Sequence, residues 1–102
     1  MQTVGKHNYF VYITTNVNKT VLYVGVTNDL QRRLSEHLEN IRTDYFRFSA
    51  RYKTFHLVYW EHYTNIEEAI FREKQIKKWR REKKNELISE FNPNWTFFDN
   101  EI

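Results

Sequence analysis

Leu22-Tyr23-Val24-Gly25-Val26-Thr27-Asn28-Asp29-Leu30-Gln31-Arg32-Arg33-Leu34-Ser35-Glu36-His37 decides the fold of this chain. Its first part is apolar and β-branched without helical spacing, which marks a buried strand. Its second part reads as a helix: Asn28 is placed to cap, Gln31 to reach back as capping-box partner, and Leu30, Leu34, Leu38 and Ile41 recur at helical spacing. Gly25 sits near the corner, where bare backbone lets another group approach closely. Tyr23 lies just before the corner. Arg33 and His37 stand one helical turn apart and flank the apolar stripe. A phenol, a guanidinium and an imidazole therefore converge on one place.

The remaining elements build around that corner. Residues 9–14 (Tyr-Phe-Val-Tyr-Ile-Thr) read as a strand, Asn16-Val17-Asn18-Lys19 as a turn, and residues 20–26 as the returning strand of an antiparallel hairpin. Alternation puts Tyr12 on the face opposite Val11 and Ile13, and Tyr12 and Tyr23 can share a face. The first helix is expected over residues 29–41. Residues 42–53, mixing aromatic and basic side chains, read as a loop with a short helix, and residues 55–61 as a third strand. Thr64 and Glu67 form a capping box for a long helix over residues 65–80, with an apolar stripe of Ile66, Ala69, Ile70, Ile76 and Trp79. A further helical segment covers residues 82–90 and ends before Pro93. The aromatics Trp95, Phe97 and Phe98 are placed to fold back onto the domain.

Composition bounds the class. At 102 residues, with two Gly and one Pro, the chain is expected to be one domain with a modest core. No apolar run approaches the roughly 20 residues of a membrane helix. The polar first eight residues hold no signal-peptide core, and the absence of cysteine excludes disulfides and thiolate metal sites. A cytoplasmic location is the expectation. Net charge is +3, with a pI near 9.2. The charge is concentrated: Lys74, Lys77, Lys78, Arg80, Arg81, Lys83 and Lys84 crowd one segment relieved by Glu82. Such a run is either a solvated helix face or a track for nucleic-acid phosphates.

Glu73 is the informative exception, a carboxylate on an apolar helix face. Buried unpaired it would cost several kcal/mol or take up a proton. It is either salt-bridged to a neighbour (Arg72, Lys74 or Lys77) or a ligand for a hard divalent cation whose shell water and substrate phosphate complete. His56 and His62 make no zinc pattern with His37, and no phosphate loop, nucleophile elbow or dinucleotide fingerprint occurs.

Phe10-Val11-Tyr12, Tyr23-Val24-Gly25, Arg33, His37 and Glu73 together resemble the GIY-YIG nuclease superfamily. The chain looks closest to its short, single-domain bacterial members related to the UvrC nuclease domain of DNA repair and to homing endonucleases. Arg72 to Trp79 and Asn92-Pro93-Asn94-Trp95 also look like the short members, so the resemblance spans about residues 9–95. It implies an α+β fold, a three-stranded antiparallel sheet flanked by helices. It also implies a metal-dependent endonuclease acting on DNA, with a single Mg2+ (or Mn2+) site. Carried over by position, Tyr12 and Tyr23 match the motif tyrosines, Arg33 the arginine at the phosphate, His37 the histidine a turn later, Glu73 the metal ligand and Asn92 a late asparagine. Gly25, Lys77, Lys78, Arg80 and Arg81 are candidates for substrate contact. Phe10 stands where the first motif has glycine. Two alternatives remain: a nucleic-acid-binding module with a degenerate site, and a protein-interaction domain using the aromatic tail. A tyrosine serves as base only if its pKa falls well below about 10.

Overall fold

The computed structural model describes residues 8–43 and 53–99, with backbone only for residues 37–43. Strand β1 (Tyr9–Thr15) is central, between β2 (Leu22–Thr27) and β3 (His56–Tyr63), and both pairings are antiparallel. Helix α1 spans Leu30–Thr43, α2 Ile66–Lys77 and α3 Arg81–Phe91. The α+β class and the three-stranded sheet are as the resemblance implies.

The β1–β2 turn is held by Asn16. Its Oδ1 accepts the N–H groups of Thr20 and Val21 at 2.8 and 2.9 Å, and Lys19 takes the left-handed conformation at φ 60°. Alternation along the strands then sorts side chains to two faces. Val11, Ile13, Val24, Val58 and Tyr59 pack with Ala69 and Ile76 of α2 and Ile88 of α3. Tyr12 and Leu57 pack with Leu30 and Leu34 of α1. The sheet is thus a central layer, with α1 on one side and α2 and α3 on the other.

Helix boundaries differ from the sequence reading in instructive ways. Asp29, not Asn28, caps α1, its Oδ1 accepting the Arg32 N–H at 3.0 Å. Asn28 instead accepts from the Arg32 guanidinium. Asn65, not Thr64, caps α2, accepting from the Glu67 and Glu68 amides. In both cases two adjacent residues are good caps, and the later one makes the bonds. The expected long helix breaks after Lys77, without Gly or Pro. The turn lets Trp79, Leu87 and Ile88 all reach the core that Ile76 already lines. The buried seam of α2 is Ala69, Glu73 and Ile76. Ile66 and Ile70, expected in the stripe, are exposed beside that seam.

The chain end closes the sheet. Val58 has no partner in the β1–β3 register, which slips between Ile13 and Thr14. Asn92, 4% exposed, donates to the Val58 carbonyl at 3.1 Å and to the Thr96 carbonyl at 2.8 Å, and accepts from the Thr96 amide at 3.0 Å. The Phe98 amide donates to the Leu57 carbonyl at 2.8 Å, and Asp99 accepts from the Leu57 amide and bonds His56, both at 2.7 Å. Residues 96–99 therefore cover the outer edge of β3.

Candidate active site

Tyr12 stands opposite Gly25 across β1 and β2. Its ring lies so close over that glycine that a Cβ at position 25 would meet its hydroxyl oxygen at 2.5 Å and Cζ at 2.6 Å. The close approach expected at Gly25 is made by the protein's own phenol, so substrate does not take that space. The Arg33 Nε–H donates to the Tyr12 hydroxyl at 3.3 Å, and the same guanidinium pairs with Glu36 at 3.0 Å. Tyr23 lies on the same face, its ring centroid 6.2 Å from that of Tyr12. The structure thus brings Tyr12, Tyr23 and Arg33 together. His37 lies on α1 one turn beyond Arg33, but its side chain is outside the described residues.

The two tyrosines are not equivalent. Tyr12 is fully buried and Tyr23 half-buried. Burial, and then the neighbouring Tyr23 phenol, push the Tyr12 hydroxyl well above the usual phenol range, against the opposing pull of Arg33. Tyr12 is therefore a poor base but a stable neutral hydrogen-bonding group.

Glu73 projects from α2, on the other side of the sheet. Its carboxylate is buried and its Oε2 receives the Lys77 ammonium at 2.6 Å. Of the neighbours open to it in the sequence, Lys77 is the partner; Arg72 turns instead to Glu61. Lys77 also lines a cavity of about 310 Å3 with Leu22, Tyr23, Val24 and Lys84. This places the Glu73–Lys77 pair and Tyr23 around the free edge of β2. Burial, then the Arg81 charge, hold the Lys84 ammonium below its usual range. Among the described residues no three His, Cys, Asp or Glu side chains group to hold a metal. A divalent cation here would have one protein carboxylate, through the Glu73 oxygen that Lys77 leaves open.

The other substrate-contact candidates divide. Lys78 and Arg80 are exposed in the α2–α3 turn. Arg81 is engaged by the fold: its guanidinium donates to the carbonyls of Lys19 and Thr20 and to Asn85, each at 2.9 Å, and so clamps the hairpin turn. Asn92 is likewise committed inward, to the β3 bulge and the tail. Phe97 stacks on His56 at 4.0 Å and Phe98 packs on Trp60, so two of the tail aromatics are used within the chain.

A polar cluster on the α2 side of β3 escaped the sequence reading. Glu61 receives the Arg72 guanidinium through Nε at 3.0 and 3.1 Å and Nη2 at 2.9 Å. It also accepts from the hydroxyls of Tyr59 and Tyr63. The signal was the period-two spacing of Tyr59, Glu61 and Tyr63, which puts a carboxylate between two phenols on one strand face.

An antiparallel three-stranded sheet presenting two tyrosines and a helix-borne arginine on one face defines a class. The GIY-YIG catalytic domain model matches residues 8–86, and the chain belongs to that family. Its similar proteins are short UPF0213 proteins. One from Bacillus pumilus is 38% identical over 85 residues, 83% of each chain. One from Clostridium perfringens is 39% identical over 80 residues, 78% of this chain and 82% of that protein. Among solved structures, the solution NMR structure of a UPF0213 protein from Bacillus halodurans matches with a TM-score of 0.51 at 29% identity, covering 92% of this chain and 93% of that one.

Proposed function

We propose that this chain is a divalent-metal-dependent endonuclease that hydrolyses phosphodiester bonds, with DNA as substrate. Family membership supports a nuclease. The observation that carries the reading further is the Arg33 guanidinium held on the Tyr12 hydroxyl at 3.3 Å, beside Tyr23. A planar guanidinium suits the two non-bridging oxygens of a phosphodiester. Arg33 binds the phosphate, and buried Tyr12 fixes the direction of its fork. Half-buried Tyr23 hydrogen-bonds and orients the attacking water. As the water oxygen bonds to phosphorus, the P–O bond to the leaving sugar oxygen breaks, that oxygen takes a proton from solvent, and the water's proton is lost to solvent. Lys77 and Lys84, lining the cavity with Tyr23, hold the flanking backbone charge. Glu73 is the residue that would hold Mg2+ or Mn2+, which supplies Lewis-acid charge at the phosphate when bound.

A cleavage assay tests this. Labelled single-stranded, duplex and branched DNA and RNA are incubated with magnesium, manganese or EDTA. Wild type is expected to cut in a metal-dependent way, while folded Glu73→Gln and Arg33→Ala do not. Equal cutting by wild type and Glu73→Gln would remove the metal role. The second reading, a binding module without turnover, draws on the Glu73–Lys77 contact, which satisfies the carboxylate without a cation. Salt-sensitive binding with no cutting under any condition would select it.

A further inference from the structure

A second cavity, of about 360 Å3, opens on the tyrosine face where the start of α1 meets β1 and β3. Phe10 and Trp60 supply its aromatic surface. Phe10 is two residues from Tyr12 on β1, and Trp60 stands opposite Tyr12 on β3. Both rings are held from behind, Phe10 by His62 at 5.3 Å and Trp60 edge-on by Phe91 at 5.0 Å and Phe98 at 5.4 Å. Among the described residues its polar lining comes from Asn8, Asn28, Asp29 and Gln31, with no lysine or arginine.

That chemistry selects a ligand. A phosphate meets the Asp29 carboxylate, and the nearby Arg32 guanidinium is already engaged by Asn28 and Glu36. A neutral planar group with edge donors and acceptors finds aromatic surface, amides and a carboxylate. Among the described residues, the Gln31 amide and the Trp60 indole N–H make no hydrogen bond. Gln31 is exposed and Trp60 half-buried, so such a ligand exchanges their water for its own hydrogen bonds without breaking a contact within the protein. Phe10 lies two residues from Tyr12 on one face of β1, about 7 Å along the strand, and Tyr12 holds the Arg33 guanidinium assigned to the phosphate. The cavity therefore adjoins the Tyr12–Arg33 pair.

We propose that this cavity binds an unstacked nucleobase, so that the preferred substrate is single-stranded or locally unpaired nucleic acid. The inference rests on the nuclease reading only for the identity of the backbone held at Arg33. It also accounts for Phe10, which supplies base-stacking surface where the family motif has glycine. Stacking on an aromatic side chain is sequence-tolerant, because every base has a π-face.

The test is equilibrium binding of a ten-nucleotide single strand, a fully abasic strand of equal length, and a blunt duplex, each in EDTA to prevent cleavage. Wild type is expected to bind the base-bearing strand on the order of tenfold tighter than the abasic one, and tighter than the duplex. Phe10→Gly and Gln31→Ala are expected to lose that preference while binding the abasic strand as wild type does. Circular dichroism confirms that both variants are folded. Equal affinity of wild type for base-bearing and abasic strands overturns the pocket, as does a preference that survives Phe10→Gly. The nuclease reading fails separately. A chain that prefers bases through Phe10 yet cuts nothing with metal restored keeps the pocket and loses the activity. A chain that cuts but ignores bases does the reverse.

Discussion

An alanine at position 25 would thrust its Cβ to within 2.9 Å of three atoms of the Tyr12 side chain. That ring is fully buried and cannot swing aside into solvent. Gly25→Ala is therefore expected to lose about 1–3 kcal/mol of stability by overpacking, and to lose cleavage beyond that, because the displaced phenol releases Arg33. Urea unfolding alongside the cleavage assay checks both; full activity would mean that the ring repacks without cost. Asn92→Ala acts differently. It leaves the Val58 carbonyl and both backbone groups of Thr96 without their side-chain partner. A loss on the order of 3 kcal/mol is expected from buried groups left unpaired, with nucleic-acid affinity at permissive temperature unchanged. Reduced affinity in a folded Asn92 variant would restore its substrate role.

Helix α2 and strand β3 are joined by the Glu61–Arg72 clamp, and that junction responds to acid. Burial alone would raise the Glu61 pKa, but hydrogen bonds from Arg72, Tyr59 and Tyr63 outweigh it and hold the carboxyl below its ordinary value of 4.5. The folded state thus binds this proton less readily than the unfolded chain. The clamp's stabilisation is fully present above about pH 4.5 and fades as pH falls toward the depressed folded value. Glu61→Gln is expected to be less stable than wild type at pH 7, with the gap narrowing below pH 4.5; a gap constant to pH 3 would contradict the clamp. At this scale the sequence was legible in part. Period-two and helical spacing placed all three strands and α1 to within a residue or two, and left a shared face for Tyr12 and Tyr23 open until the β1–β2 register settled it. The caps at Asp29 and Asn65 were displaced by one residue, because Asn28 and Thr64 are equally good cap chemistry and only backbone geometry separates them. The break after Lys77 had no breaker residue; it follows from tertiary packing of Trp79 and Leu87. Glu61 was overlooked because its partner lies on another element, and Glu73 left two readings because Lys77 and a cation are both able to neutralise the same carboxylate.

Across the whole molecule, the basic residues concentrated between 74 and 84 do unlike jobs. Lys77 neutralises Glu73, Arg81 clamps the hairpin turn, and Lys83 lies over the Trp79 ring at 4.3 Å. Lys78 and Arg80 remain exposed in the turn between the helices. Replacing both by alanine is expected to lower the slope of log affinity against log salt by about two, one for each phosphate no longer neutralised, without changing stability. Arg81→Ala is expected to lower the unfolding temperature instead. An unchanged slope in the Lys78, Arg80 double variant would place the phosphate track elsewhere on the surface. Charge counting in the sequence could not make this division, since seven similar side chains differ only in what stands opposite them. No helix among the described residues is long and apolar enough to cross a membrane.

The lashing of residues 92–99 onto β3 also sets an order of events during synthesis. β3 emerges from the ribosome ahead of Asn92, Phe98 and Asp99, and until they follow it the nascent chain carries an uncovered strand edge and an unanswered bulge carbonyl at Val58. The sheet reaches its final form only when the last helix and the segment behind it have emerged. A chain cut before residue 92 would present that edge to whatever strand it meets, and a folding helper that shields edges would act before the tail emerges.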